Sequence, residues 1–307
     1  MLQEAFRRRH GAATRHLATQ MRATPLATLP RMPDTPVPPT SLITFIGGGN
    51  MAGALIGGLV RAGRAPGSIL AVDPGDAARQ KLQADFGVRT LAAADASLAG
   101  AQLVVWAVKP QLFSAAAAPC AAHLGGALHL SVMAGIRSDA IAVATGSERV
   151  VHAMPNTPAL IGQGIAGLYA RDAVSAAEKA TAEALLAPTG RTLWVAREED
   201  LDAVTALSGS GPAYVFYFVE AMVQAAQEMG LSAEQGQQLA LATFAGATAL
   251  AQASSEPPAV LRERVTSKGG TTYAALSSLE ASGVKAAFVK AMKAAQQRAK
   301  ELGDEFG

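Results

Sequence analysis

The chain has 307 residues, half of them hydrophobic and 16% charged, with a formal net charge of +2 and one cysteine. That composition excludes a disordered chain, and the length favours two cores over one. A near-neutral balance gives no electrostatic reason to bind nucleic acid, and Cys120 alone cannot close an internal disulfide, which fits a reducing compartment such as the cytoplasm.

Residues 1–40 carry a net charge of +4, leaving −2 for the rest. The segment is Arg-rich and acid-poor, a superficial likeness to a transit peptide, and it has no apolar run of the kind a secretory signal needs. Pro30, Pro33, Pro36, Pro38 and Pro39 favour a disordered extension. No membrane span is expected, because the apolar run Leu239–Ala251 is too short and is interrupted by Thr243, Gly246 and Thr248.

The rest of the chain is organised around Leu42–Gly63. Leu42-Ile43-Thr44-Phe45-Ile46 suits a buried parallel strand, and Met51–Val60 has helical apolar spacing. Between them, Gly47-x-Gly49-x-x-Ala52 is the dinucleotide fingerprint with alanine in its third small position. The first glycine permits the turn, the second lets a pyrophosphate reach the backbone, and the third small residue keeps the helix close to the strand. Asn50 and Met51 then open the helix, where free N–H groups and the helix dipole favour phosphate.

A second strand, 69–72, ends at Asp73, 21 residues after Ala52. That spacing suits the acid that binds a ribose 2′-hydroxyl. Asp73-Pro74-Gly75-Asp76 also reads as a turn and helix cap. An acid here disfavours the 2′-phosphate of NADP, whereas Arg79 offers a counter-charge, so both NADH and NADPH stay open.

Further strands are expected at 88–91, 102–106, 127–131 and 149–153, with helices at 50–62, 76–86 and 137–143. Strand–helix alternation of this kind predicts a Rossmann-type doubly wound parallel sheet over 41–198, with ligands at the strand C-termini. Ala107-Val108-Lys109-Pro110 comes after the clearest inner strand. Pro110 stops the strand, and Lys109 stands either at the cofactor crevice or as a solvated lysine. Asn156, in Met154-Pro155-Asn156-Thr157-Pro158, could serve a nicotinamide carboxamide or cap its own turn. His152 reads as a satisfied core histidine. His123 and His129 have no Cys or carboxylate grouping around them, so no metal site is expected.

From about residue 199 the pattern is all helical. Ser208-Gly209-Ser210-Gly211-Pro212 reads as a loop into a helix Ala213–Met229, with the next helix at Ala233–Ser254. Tyr214 to Val219 are apolar all round, so this helix must be buried on most sides, and association of subunits is the economical way to do it. Glu220 reads as an interface contact before a catalytic acid. Farther on, Val265–Leu276 places Gly269 and Gly270 before a helix that begins with Thr271 and Thr272. The result is a nest of N–H groups suited to a carboxylate, or an ordinary capped loop.

Taken together, the chain resembles the pyrroline-5-carboxylate reductases. The likeness spans about Leu42 to Gly303 and rests on Ile46–Ala52, Ala107–Gln111, Ser131–Ile136, Asn156–Pro158, Leu207–Tyr214 and Val265–Thr272. The family usually has proline where Lys268 stands. The resemblance implies hydride transfer from NADPH or NADH to C5 of (S)-1-pyrroline-5-carboxylate, giving L-proline. It implies that Thr272 approaches the ring nitrogen and that Ser267, Gly269, Gly270 and Thr271 hold the substrate carboxylate. Gly47, Gly49, Asn50, Met51, Ala52, Ala107, Val108, Lys109, Pro110 and Asn156 fall on the cofactor side, with Asp73 at the ribose. It further implies homodimers through the helical domain, 199–307, assembled in turn into rings such as a decamer. Two rivals are a dehydrogenase with a helix-borne catalytic lysine, for which Ala213–Ser254 has no counterpart, and a non-catalytic cofactor-binding protein.

Overall fold

A computed structural model describes residues 41–306; the expected disordered extension, 1–40, lies outside the described residues. β1 (Leu42–Ile46) lies inside an eight-stranded sheet because its neighbours on both sides are strands of the same kind. It pairs in parallel with β2 (Ile69–Val72) on one side and β4 (Ala101–Trp106) on the other. The sheet continues through β3 (Arg89–Leu91), β5 (Leu128–Ser131), β6 (Val150–Met154), β7 (Gly164–Ala170) and β8 (Gly190–Trp194), in the order β3-β2-β1-β4-β5-β6-β7-β8.

Alternation along the strands builds two cores. Ile43, Phe45, Leu103, Val105 and Leu130 face α1 (Asn50–Arg61), α2 (Asp76–Phe86) and a later helix, Ala176–Leu186. Ile46, Val104 and Trp106 face α3 (Phe113–Cys120) and α4 (Ser138–Thr145), where Cys120 is buried. The helix Ala176–Leu186 is α5, fixed by a capping box between Ser175 and Glu178.

The six expected strands are present, with ends displaced by no more than one residue. β7 and β8 escape the pattern, and β7 also breaks the parallel rule by running antiparallel to β6. Only nine residues separate Met154 from Gly164, too few for the dozen or so that a parallel crossover takes, so the chain must reverse. Gly167 weakens the strand signal inside β7. It is there for space: a Cβ on it would meet Val204 at 2.7 Å.

After the sheet come α6 (Asp200–Val204), α7 (Gly211–Glu228), α8 (Ala233–Ala253), α9 (Pro258–Arg264), α10 (Thr271–Ala281) and α11 (Val284–Phe306). The expected loop at Ser208 to Pro212 is corrected in its first part. Thr205–Gly209 forms one turn of π-helix that continues α6, closed by Ser210 N–H on the Thr205 carbonyl at 2.8 Å. Glycines spaced two apart read as loop, yet here an extra residue is absorbed within a helix. Pro212 does occupy the first turn of α7.

α11 returns to the sheet. Its Phe288 ring meets Tyr214 and Phe218 of α7 at 5.9 and 5.8 Å. Near its end, Leu302 packs against Gly135 in the loop after β5. Arg137 of that loop bonds Asp202 of α6 at 2.8 Å, so the strand tips and the helices are tied together. Phe216 and Tyr217 on α7 stay 60% and 69% exposed within one chain, not buried as the all-round apolar pattern demands.

Candidate functional site

The C-terminal ends of β1, β2 and β4 meet at the Gly-rich turn. Gly47 N–H donates to the Val72 carbonyl and Ala107 N–H to the Ile46 carbonyl, both at 2.8 Å. Gly47 has φ +101°, and a Cβ on it would strike the Ala107 carbonyl oxygen at 2.6 Å, so only glycine fits. Gly49 is the opposite case: a Cβ there would meet nothing within 4 Å. The first helical bond of α1 is Gly53 N–H to the Gly49 carbonyl, at 2.9 Å. The N–H groups of Asn50, Met51 and Ala52 are therefore left for an outside acceptor. Open space before free helix N–H groups fits a pyrophosphate.

Asp73 stands at the tip of β2, but its carboxylate is already engaged. Gly48 N–H donates to Oδ2 and Gly75 N–H to Oδ1, each at 2.7 Å. It therefore braces the Gly-rich turn, and each oxygen keeps a lone pair for a ribose hydroxyl. Arg79 is also spent internally, on the carbonyls of Asp73 and Pro74 and on Asp76 at 2.6 Å. Ala107 and Val108 lie half-buried beside the turn. Lys109 is exposed, without an ion pair among the described residues, and Pro110 opens the 3₁₀ turn after β4.

Asn156, two residues past the end of β6, has both sides of its amide directed. Oδ1 accepts from Ile165 N–H at 3.0 Å, and Nδ2 donates to Ser208 Oγ at 3.2 Å. Ser208 has no assigned role in the sequence reading. The π-turn brings it here, and the run Leu207–Tyr214 is the signal that could have found it.

Behind these tips lies a buried polar clamp. His152 Nδ1 lies 2.7 Å from Glu198 Oε1, and Nε2 lies 3.1 Å from the Met133 carbonyl. Glu198 also receives the Ser138 N–H and hydroxyl, at 2.7 and 2.6 Å. Burial alone would raise the Glu198 carboxyl, but the bonds from His152 and Ser138 outweigh it and hold the group below its ordinary value. His152 is thus the satisfied core histidine its strand position implies. In a separate place, His129 Nδ1 accepts from Trp106 Nε1 at 3.1 Å while Nε2 has no partner among the described residues. Burial pushes His129 down to about 4.

The Gly-Gly-Thr-Thr stretch stands elsewhere. Gly270 N–H closes a turn on the Ser267 carbonyl at 3.0 Å, with Gly269 at φ +73° in the third position, the left-handed place a type II turn reserves for glycine. Gly270 caps α10 with no side-chain hydrogen bond at the cap, so Thr271 and Thr272 are not capping residues, and their hydroxyls make no hydrogen bond among the described residues. Thr272 is half-buried; Ser267 and Thr271 are exposed. Among the described residues no hydrogen bond or ion pair joins this turn to Gly47–Ala52. Glu220 is exposed and unpaired among those residues. Within them, no group of three or more His, Cys, Asp or Glu could hold a metal, and no helix is long and apolar enough to cross a membrane.

Comparison with known proteins gives concordant matches. A family model described as pyrroline-5-carboxylate reductase dimerisation matches residues 198–302, and one described as NADP oxidoreductase, coenzyme F420-dependent, matches residues 42–135. A pyrroline-5-carboxylate reductase of Pseudomonas aeruginosa is 44% identical over 270 residues, 87% of this chain and 99% of that protein. One from Haemophilus influenzae is 39% identical over 271 residues, 86% of this chain and 98% of its own. Among solved structures, a pyrroline-5-carboxylate reductase from Coxiella burnetii superposes with TM-score 0.80 at 36% identity, covering 86% of this chain and 98% of that one. A Plasmodium falciparum pyrroline carboxylate reductase with NADP bound gives TM-score 0.77 at 28% identity, over 85% and 98%.

Proposed function

The chain belongs to the pyrroline-5-carboxylate reductase family, and from that membership we propose that it reduces (S)-1-pyrroline-5-carboxylate to L-proline with NADPH or NADH, the last step of proline biosynthesis. The observation that carries this reading is one chain holding both an open dinucleotide turn at α1 and an uncapped Gly-Gly-Thr-Thr helix start at α10. The first suits a nicotinamide dinucleotide and the second a carboxylate.

When bound, the reduced nicotinamide supplies the hydride. The chain's own work is to hold and orient. A protonated cyclic imine is already electrophilic, so placing its C5 is the main requirement. Gly47, Gly49, Asn50, Met51 and Ala52 would hold the pyrophosphate, Asp73 the ribose, and Ala107, Val108, Lys109, Pro110 and Asn156 the remaining cofactor edge. Ser267, Gly269, Gly270 and Thr271 would receive the substrate carboxylate on N–H groups and a hydroxyl. Thr272 would hold a proton at the ring nitrogen. Residues 41–198 then act as the dinucleotide-binding domain and 199–307 as the helical dimerisation and substrate-binding domain.

The exposed apolar face of α7 and the match to a dimerisation model support a homodimer; further assembly into a decamer is part of the same proposal and rests on the family resemblance alone. The single buried thiol supports a cytoplasmic location.

The test is oxidation of NADPH and of NADH, followed by absorbance, with 1-pyrroline-5-carboxylate supplied. Saturable oxidation is expected, and the ratio of the two kcat/KM values gives the preferred cofactor. Binding of both cofactors without turnover would keep the fold and overturn the function.

A further inference from the structure

We propose that Ser208 is a cofactor-positioning residue that donates its hydroxyl proton to the carboxamide oxygen of the bound nicotinamide. The inference rests on the cofactor reading above and adds a residue to it.

Hydrogen-bond polarity fixes which group donates. Ile165 N–H can only donate, so the side of Asn156 that faces it at 3.0 Å must be the carbonyl oxygen. That fixes the amide, and the group 3.2 Å from Ser208 Oγ is therefore the NH₂. Ser208 must accept from it. A serine hydroxyl that accepts one bond still has its own proton to give. Among the described residues Ser208 has no acceptor for it, since its hydrogen bond to Asn156 is the one it makes there.

Position supplies the rest. Asn156 lies just past the C-terminal end of β6, the sheet edge at which doubly wound folds take their ligands. Ser208 lies half-buried against it, in a π-turn, a distortion often kept at functional sites. A proton held at this edge needs a ligand atom that accepts. A protonated imine nitrogen donates, and the substrate carboxylate is assigned to the start of α10. With the pyrophosphate assigned to Gly47–Ala52, a ribose to Asp73 and the nicotinamide end to Asn156, the carboxamide oxygen is the acceptor nearest this proton in that reading. The chain from Ile165 through Asn156 to Ser208 thus delivers a donor already oriented, so little freedom is lost when the ligand binds.

The experiment measures equilibrium dissociation of NADPH from the full chain by protein fluorescence, with no imine present, for the wild type, Ser208→Ala and Ser208→Thr. Each is also measured with the thionicotinamide analogue of NADPH, whose sulfur accepts hydrogen bonds poorly. Ser208→Ala should weaken NADPH by about three- to tenfold, the worth of one hydrogen bond between neutral groups, and Ser208→Thr should restore most of it. The wild type should prefer NADPH to the thio analogue, and Ser208→Ala should lose that preference, the coupling a double cycle isolates. A merely structural role would weaken both ligands equally. Equal losses, or none, would overturn the proposal. Absence of NADPH and NADH binding in the wild type would overturn the cofactor reading itself, and this proposal with it.

Discussion

The sheet region and the helices after it use their apolar residues in opposite ways. From β1 to the π-turn, large side chains such as Phe45, Leu55, Leu103 and Trp106 are fully buried within the chain. Beyond the π-turn, the buried apolar residues are Ala226, Ala240 and Ala299, while Phe216, Tyr217, Leu239, Leu241 and Leu250 stay exposed. The sheet closes its own core; the helices leave large apolar side chains exposed, in the region that matches a dimerisation model. The difference teaches that a helix apolar on every face need not be buried by its own chain, even beside a well-packed fold, and such a face is what an association of subunits would cover.

The comparison is broken most directly on α7. Phe216→Asp with Tyr217→Asp should leave single chains in sedimentation, with activity down at least about 100-fold and NADPH binding kept, because burying unpaired charge in an apolar interface is prohibitive. An assembled, active double variant would show that this face is not the interface.

Acid probes the sheet. A neutral His129 accepts from Trp106, and protonation would remove that acceptor inside the core. Its folded value, about 4, lies below the ordinary 6.5, so the unfolded chain binds the proton first as pH falls. Stability is full above about 6.5 and is lost down to about 4, by about 3 kcal/mol at 1.36 kcal/mol per pH unit. Urea unfolding across that window should show the loss, and His129→Leu should flatten it.

Thr272→Val sharpens the contrast from the helical side, at a residue proposed to hold a proton and lying outside both cores. It should lower kcat by about tenfold or more while KM changes less, as loss of a proton-handling group does. An unchanged kcat would remove Thr272 from the mechanism. The smallest effect belongs to Asp73. Because its carboxylate also braces Gly48 and Gly75, Asp73→Asn keeps one acceptor oxygen and loses the charge. The kcat/KM ratio of NADPH to NADH should rise by about threefold, less than 1 kcal/mol; an unchanged ratio would mean that Asp73 acts on the turn alone.

Much of the fold is legible in the sequence because its causes are local. Gly47, Gly49 and Ala52 announce a turn by a pattern that lies within six residues, even though Ala107, Val72 and Asp73 hold it in place, and the inner strands are apolar runs that could scarcely be anything else. What escapes depends on distant partners. β7 reverses because the linker after β6 is short, and its Gly167 exists for Val204. Ser208 looks like part of a Gly–Ser loop until the π-turn sets it against Asn156. Glu198 becomes a clamp only once His152 and Ser138 are folded around it. Asp73 reads as a free ribose ligand or a cap, and the structure gives it a bracing role at both Gly48 and Gly75.

The bare face of α7 has one more consequence, which concerns quantity. A fold whose last apolar surface is covered by another copy is stabilised by mass action, so its melting temperature should climb with protein concentration even though no contact within the chain changes. Dilution then acts on this molecule as a mild denaturant.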